Sequence, residues 1–223
     1  MVETIDLKNL IEEFLKDSSI MNGDRIYNEF SLQFELGFFL RDKLKDKGEG
    51  FKVQFERNVE FFGGDKKKFV KKEIDIVVFN DDKSEKYAIE LKFPPNGFYE
   101  KRMHHFVKDI QFMEEVKGCS KIEEKIGFAK TYCLTLISDS ENGERFRTGE
   151  KVNTKIAQYF IDPKVAKIEE KRDVDGSVPS YKEKGKELHH TISGSYSIEW
   201  KSIGSTGYHY YLIEIPDDSK IKI

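Results

Sequence analysis

The chain has 223 residues, long enough for one domain with its own core, or for one domain plus a small appendage. Charged residues make up 35%, yet both signs are mixed and the formal net charge is −3. That balance excludes a uniformly basic nucleic-acid coat, so any nucleic-acid surface must be a local patch. No apolar run approaches the roughly 20 residues that span a membrane, and the opening MVETIDLKNLIEEF lacks the basic and apolar regions of a signal peptide. The two cysteines, Cys119 and Cys133, show no ligand spacing, so the expectation is a reduced, cytoplasmic setting with both as core or boundary residues.

Leu7, Leu10, Ile11 and Phe14 recur at helical spacing, which predicts a helix over 5–16. Asp24 is placed to cap a second helix that runs to about Lys45, with Ile26, Phe30, Phe34, Gly37, Leu40 and Leu44 as its buried stripe. From 51 to 61, Phe51, Val53, Phe55, Val59 and Phe61 alternate with polar residues, the pattern of a half-buried antiparallel strand. Gly63-Gly64-Asp65 then turns the chain into a run containing Lys66, Lys67, Lys68, Lys71 and Lys72. This run reads either as a solvated turn or as a patch that steers phosphates.

The stretch Glu73–Phe93 holds two apolar runs, IDIVVF and YAIELKF, joined by a short polar loop. They predict an antiparallel hairpin. Setting Phe79 opposite Lys86 puts Ile76 opposite Ile89 and Asp75 opposite Glu90, with Asp75, Glu90 and Lys92 on one face. A slip of one residue would turn Asp75 away. Two facing carboxylates repel unless a cation lies between them, and a hard divalent ion takes such oxygens.

A helix is expected from about Phe98 to Lys117, burying Tyr99, Met103, Phe106, Ile110 and Met113. Lys101, His104, Lys108, Gln111 and Glu115 fall together on another face, read as a plain exposed surface or a nucleic-acid contact. His104 and His105 point about 100° apart on a helix, which rules them out as a metal pair. Thr131–Ser138 is a further apolar strand, placed by the crossover to run parallel to the Glu90 strand. Residues 139–149 read as a loop, and Val152, Ile156, Tyr159 and Phe160 as a short helix. Residues 163–190, poor in apolar side chains and rich in Lys and Glu, read as mobile or disordered. Ile192 to Trp200 and Tyr208 to Ile215, either side of a Gly-Ser-Thr-Gly turn, predict a C-terminal β-hairpin.

At Asp75, Glu90 and Lys92 the sequence resembles the PD-(D/E)xK nuclease superfamily, the restriction-endonuclease-like proteins. The motif reads Ile74-Asp75-Ile76-Val77-Val78, fourteen intervening residues, then Glu90-Leu91-Lys92. Ile74 stands where the family often has proline. Other acid-x-lysine triplets occur, such as Asp6-Leu7-Lys8 and Glu123-Glu124-Lys125, but Glu90-Leu91-Lys92 lies inside an apolar strand opposite another acid. The resemblance covers residues 24–138. It implies an α/β core of helix, three-strand antiparallel meander, crossover helix and parallel strand, with residues 1–138 as the nuclease-like core. Residues 139–223 would form an extension, a mobile linker and β-hairpin packed on that core. It further implies Mg²⁺ (or Mn²⁺) on Asp75, Glu90 and the Leu91 carbonyl, with Lys92 handling the attacking water. Glu35 is the expected helix acid, binding a second metal or orienting a water, and Glu29 its fallback; Lys108 or Gln111 is the polar residue from the later helix. The implied activity is hydrolysis of nucleic-acid phosphodiesters, most of all DNA, with Lys71, Lys72, Lys101 and His104 as further contacts and a homodimer left open. The alternatives are a nuclease-like module that binds nucleic acid or a protein without cleaving, and a structural ion-pair network.

Overall fold

The computed structural model describes residues 5–21, 24–45, 50–94, 99–118, 126–138, 147, 155–162 and 172–216. Its elements are α1 (Leu7–Lys16), α2 (Ser18–Met21), α3 (Glu29–Leu44), β1 (Lys52–Asn58), a 3-10 turn (Val59–Phe62), β2 (Glu73–Phe79) and β3 (Lys86–Lys92). They continue with α4 (Tyr99–Lys117), β4 (Lys130–Ser138), a short helix (Ala157–Phe160), β5 (Val174–Glu183), β6 (Lys186–Tyr196), β7 (Lys201–Ser202) and β8 (Tyr208–Ile215). The fold is mixed α/β: a mostly antiparallel six-stranded sheet in the order β1-β2-β3-β4-β8-β7, and a separate β5-β6 ribbon. The expected loop at 139–149 (apart from Arg147), the helix start at Val152, the turn at 95–97 and Cys119 lie outside the described residues. Among the described residues, no helix is long and apolar enough to cross a membrane.

The expected hairpin register holds: Ile76 faces Ile89 and Phe79 faces Lys86. β3 and β4 pair in parallel, with Glu90 beside Cys133 and Lys92 beside Thr135. The connection between them carries α4, as a parallel pair requires. Alternation then sorts the strands. Ile76, Val78, Ile89, Leu91 and Leu134 pack with α1 and α3 on one face. Val77, Ala88 and Cys133 pack with α4, the short helix and the β5-β6 ribbon on the other.

Helix α3 begins at a capping box in which the Asn28 side chain accepts from Ser31 N–H, and the Ser31 hydroxyl accepts from the Asn28 N–H. Its buried face differs from the expected stripe. Leu32, Leu36, Leu40 and Leu44 are buried with Gly37, whereas Phe30 and Phe34 stand in solvent. Two apolar rows run along this helix at the same spacing, and periodicity alone does not say which one meets the sheet. Gly37 marks the buried side, since a Cβ there would lie 2.1 Å from the Phe55 ring.

The C-terminal third departs from expectation. Residues 172–190 are not disordered: β5 and β6 form a ribbon across α4. The turn is Lys184-Gly185, both at positive φ (49° and 77°), as a two-residue hairpin turn of type I′ requires. Register shifts at Asp175/Gly176 and between Val178 and Tyr181 absorb Gly176 and Pro179, which would otherwise break a ladder. One face of this ribbon is solvated, so its many Lys and Glu residues mimic the composition of a disordered segment. The expected 192–200/208–215 hairpin does not form. β8 pairs along its length with β4 instead, and only Lys201 and Ser202 pair back onto it. β4 is buried on both faces and needs a partner on its outer edge.

Candidate functional site

Asp75, Glu90 and Lys92 share the α4 face of the sheet. The Asp75 N–H points at Glu90 Oε1 at 3.4 Å, and the Leu91 N–H donates to Asp75 Oδ2 at 2.7 Å. Each carboxylate is thus held against the backbone of the other strand. Opposite Asp75 the β1 ladder is interrupted, because Glu56 adopts a left-handed φ of 49°. Gln33 of α3 fills the gap, donating to the Asp75 carbonyl and to Glu56 Oε1, each at 2.7 Å. A non-glycine residue in this conformation is strained, and such strain gathers at functional sites.

Two residues complete the cluster that the sequence reading did not assign to it. Asp109 of α4, 3% exposed, lies 3.0 Å from Lys71 Nζ through Oδ1 and 3.4 Å from Lys92 Nζ through Oδ2. Its signal was available: it sits three residues after Phe106 and four before Met113, inside the buried stripe of α4. Lys71, expected as a phosphate-steering surface residue, turns inward and bridges Asp109 and Glu90. Nothing in the surrounding lysine run distinguishes it locally. Its neighbour Lys72 stays exposed.

Of the two glutamates expected from this helix, Glu29 and not Glu35 reaches Lys92. Glu29 accepts from Lys92 Nζ at 3.1 Å and from the Phe93 N–H at 3.3 Å. Glu35 instead pairs with Arg25 at 3.6 Å. A first-turn residue reaches the end of β3, where Lys92 emerges, whereas Glu35 lies nearly two turns further along the helix. The Leu91 carbonyl accepts from Lys92 Nζ at 2.7 Å.

The β5-β6 ribbon packs over most of the polar stripe of α4 and leaves Lys101 exposed. Lys101 pairs with Glu183 at 2.7 Å, and His104 is buried and stacked on Tyr181 with ring centroids 4.2 Å apart. Gln111 reaches His190 and Glu115, each at 3.0 Å, and Lys108 is half-buried. Burial drives the His104 imidazole down to about 4, so it is neutral at pH 7.

Burial raises the Asp75 carboxyl to about 6, against the pull of Lys71 and Lys92. Glu90, 1% exposed, is raised well above the usual carboxylate range by burial and by the neighbouring Asp75 charge. Asp109 goes the other way: burial opposes its charge, but Lys92 and Lys71 outweigh burial and hold it below its usual range. Burial opposes the charge on both lysines too. Asp109 and Glu90 overcome it at Lys71, Asp109 and Glu29 at Lys92, and both stay protonated beyond the usual lysine range.

Four carboxyls (Glu29, Asp75, Glu90, Asp109) therefore surround two ammonium groups, leaving two net negative charges when all are ionised. Protons on Asp75 and Glu90, or a divalent cation, would balance that excess. An all-oxygen donor set suits Mg²⁺ or Mn²⁺. Among the described residues, no three or more His, Cys, Asp or Glu side chains are gathered as a ready-made metal site. The Lys71 and Lys92 ammonium groups lie among the carboxylates instead. No protein-family model matches this chain, and no curated protein and no solved structure matches it either.

Proposed function

We propose that the chain is a metal-dependent nuclease that hydrolyses phosphodiester bonds of nucleic acid, most of all DNA, on a restriction-endonuclease-like core. The observation that carries this reading is the antiparallel register that sets Asp75, Glu90 and Lys92 on one face, beneath a crossover helix and beside a parallel strand. Asp75, Glu90 and the Leu91 carbonyl would hold Mg²⁺ or Mn²⁺. A bound divalent ion supplies a polarised phosphate and a water of lowered pKa. The Lys92 ammonium, held by Glu29 and Asp109, would hold the attacking water and stabilise charge developing on the phosphate. Asp109 and Glu29 thereby act as positioning residues for Lys92.

The test is incubation with plasmid, single-stranded DNA and RNA in Mg²⁺, Mn²⁺ or EDTA, alongside Asp75→Asn, Glu90→Gln and Lys92→Met. Metal-dependent cleavage should fall by about 100-fold or more in each variant. Equal cleavage by wild type and variants would reveal a contaminant and remove the enzyme reading. One observation favours a second reading, a non-cleaving module of the same fold: the Lys71 ammonium already engages Glu90 and Asp109. Nucleic-acid binding without cleavage under every metal condition would select that reading.

A further inference from the structure

Two lysines enter the carboxyl cluster, and they are held differently. Lys92 Nζ meets Glu29 at 3.1 Å, the Leu91 carbonyl at 2.7 Å and Asp109 at 3.4 Å. Lys71 Nζ sits between Glu90 Oε2 and Asp109 Oδ1, the second at 3.0 Å. The Lys71 side chain is 20% exposed, against 0% and 4% for the Glu90 and Asp109 side chains. Of these three it is the one that reaches solvent. The oxygen it covers is the one a cation needs. Glu90 Oε1 faces the Asp75 N–H at 3.4 Å, so the backbone engages Oε1 and leaves Oε2 to Lys71.

The backbone around Lys71 is clamped. The Phe69 ring packs edge-on against Phe112 of α4, with centroids 6.4 Å apart. The Val70 N–H donates to Glu115 Oε2 at 2.7 Å, and the Lys72 carbonyl accepts from the Val59 N–H at 2.9 Å. Movement is therefore left to the Lys71 side chain, a flexible four-carbon stem whose compact charge takes phosphate oxygens as well as carboxylate oxygens. Lys67 and Lys72 stay exposed on the same segment, so a phosphate backbone held there would come within the sweep of Lys71.

Building on the metal-dependent reading of this site, we propose that Lys71 is a tethered counter-ion that keeps the divalent cation out until nucleic acid binds. It then turns outward to a backbone phosphate and frees Glu90. An ammonium and a divalent ion repel each other at one carboxylate oxygen, and the phosphate gives the ammonium a second partner. Linkage makes the coupling reciprocal, so the cation must tighten nucleic-acid binding by the same factor.

The experiment titrates Mn²⁺ by electron paramagnetic resonance, which counts free Mn²⁺ and needs no turnover. It is run with and without a short phosphorothioate DNA duplex, which keeps the backbone charge and resists cleavage. Subtracting the Glu90→Gln titration removes Mn²⁺ held by the duplex itself. The wild type should bind Mn²⁺ about 10-fold or more tightly with the duplex than without it. Lys71→Met should bind at the tighter level without the duplex and gain less than about 2-fold from it. Lys71→Arg, which keeps the charge, should bind weakly until the duplex is added. The wild-type comparison stands whether or not Lys71→Met folds. A Glu90-dependent Mn²⁺ affinity that the duplex leaves unchanged overturns the gate and leaves the metal site standing. Coupling that survives in Lys71→Met also overturns it, since the phosphate would then attract the cation directly. No Glu90-dependent Mn²⁺ binding in any of these proteins removes the cation site, and both the gate and the nuclease reading with it.

Discussion

A lysine ammonium and a divalent cation compete for the same oxygens, and Lys71 reaches Glu90 and Asp109 together. Lys71→Met removes one buried charge and leaves two carboxyls facing each other, so in EDTA it should cost about 3 kcal/mol of stability. Mn²⁺ should return most of that loss and raise the variant's thermal midpoint more than the wild type's. A variant midpoint indifferent to Mn²⁺ would count against a cation site at these oxygens. Asp75 makes a separate prediction through pH. Its carboxyl titrates near 6 in the fold, against 3.8 ordinarily. Between those values the folded chain keeps a proton that the unfolded chain has released, so its contribution to stability falls as pH rises through that window. Urea unfolding at pH 4 and pH 6.5 should show Asp75→Asn lacking a decline on the order of 3 kcal/mol that the wild type shows. Equal declines in the two proteins would mean that Asp75 is not protonated at the lower pH.

At the scale of elements, α4 explains most of what periodicity could not. A helix between a sheet and solvent buries one stripe, but α4 lies between the sheet and the β5-β6 ribbon and buries side chains nearly all round. Glu114 joins the helix to that ribbon. Fully buried, it accepts from the N–H groups of Ser193 (2.8 Å) and Gly194 (2.7 Å) and from the Tyr196 hydroxyl (2.9 Å). Glu114→Ala strands these donors and should destabilise the protein by about 3 kcal/mol. Hydrogen exchange should then speed up first in residues 186–196. Protection there equal to the wild type would mean that the ribbon is held by its apolar contacts alone. Charge composition suggested disorder for this segment because a two-stranded ribbon with one wet face needs few apolar residues when a helix supplies the rest of its core.

For the whole molecule, the expected boundary at residue 138 crosses the core. Tyr211, Ile213 and Ile215 of β8 join the same apolar cluster as α4, Ala88 and Cys133. The Trp200 indole donates to the Phe160 carbonyl, and the Tyr208 hydroxyl donates to the carbonyl of Ile26, near the start of α3. A chain cut at 138 would bare the edge of β4 and one side of α4 together. It should therefore lack a cooperative thermal transition and should bind a hydrophobic dye. A fragment 1–138 that melts cooperatively would show that the later segment is dispensable.

The sequence by itself proposed the β2–β3 register and the shared face of Asp75, Glu90 and Lys92 that follows if Phe79 is set opposite Lys86, and the parallel placement of β4; the structure has that register. These follow from alternation and loop length, which act over neighbouring residues. On α3 the sequence pointed to a buried stripe through Phe30 and Phe34, which the structure leaves in solvent. Tertiary structure decided which row is buried, because burial depends on what packs against the helix. It decided that Glu29 rather than Glu35 meets Lys92, that Lys71 turns inward to Asp109, and that β8 closes the sheet. Each of these joins residues distant in sequence, and no local pattern encodes which distant partner will supply a charge or a strand edge.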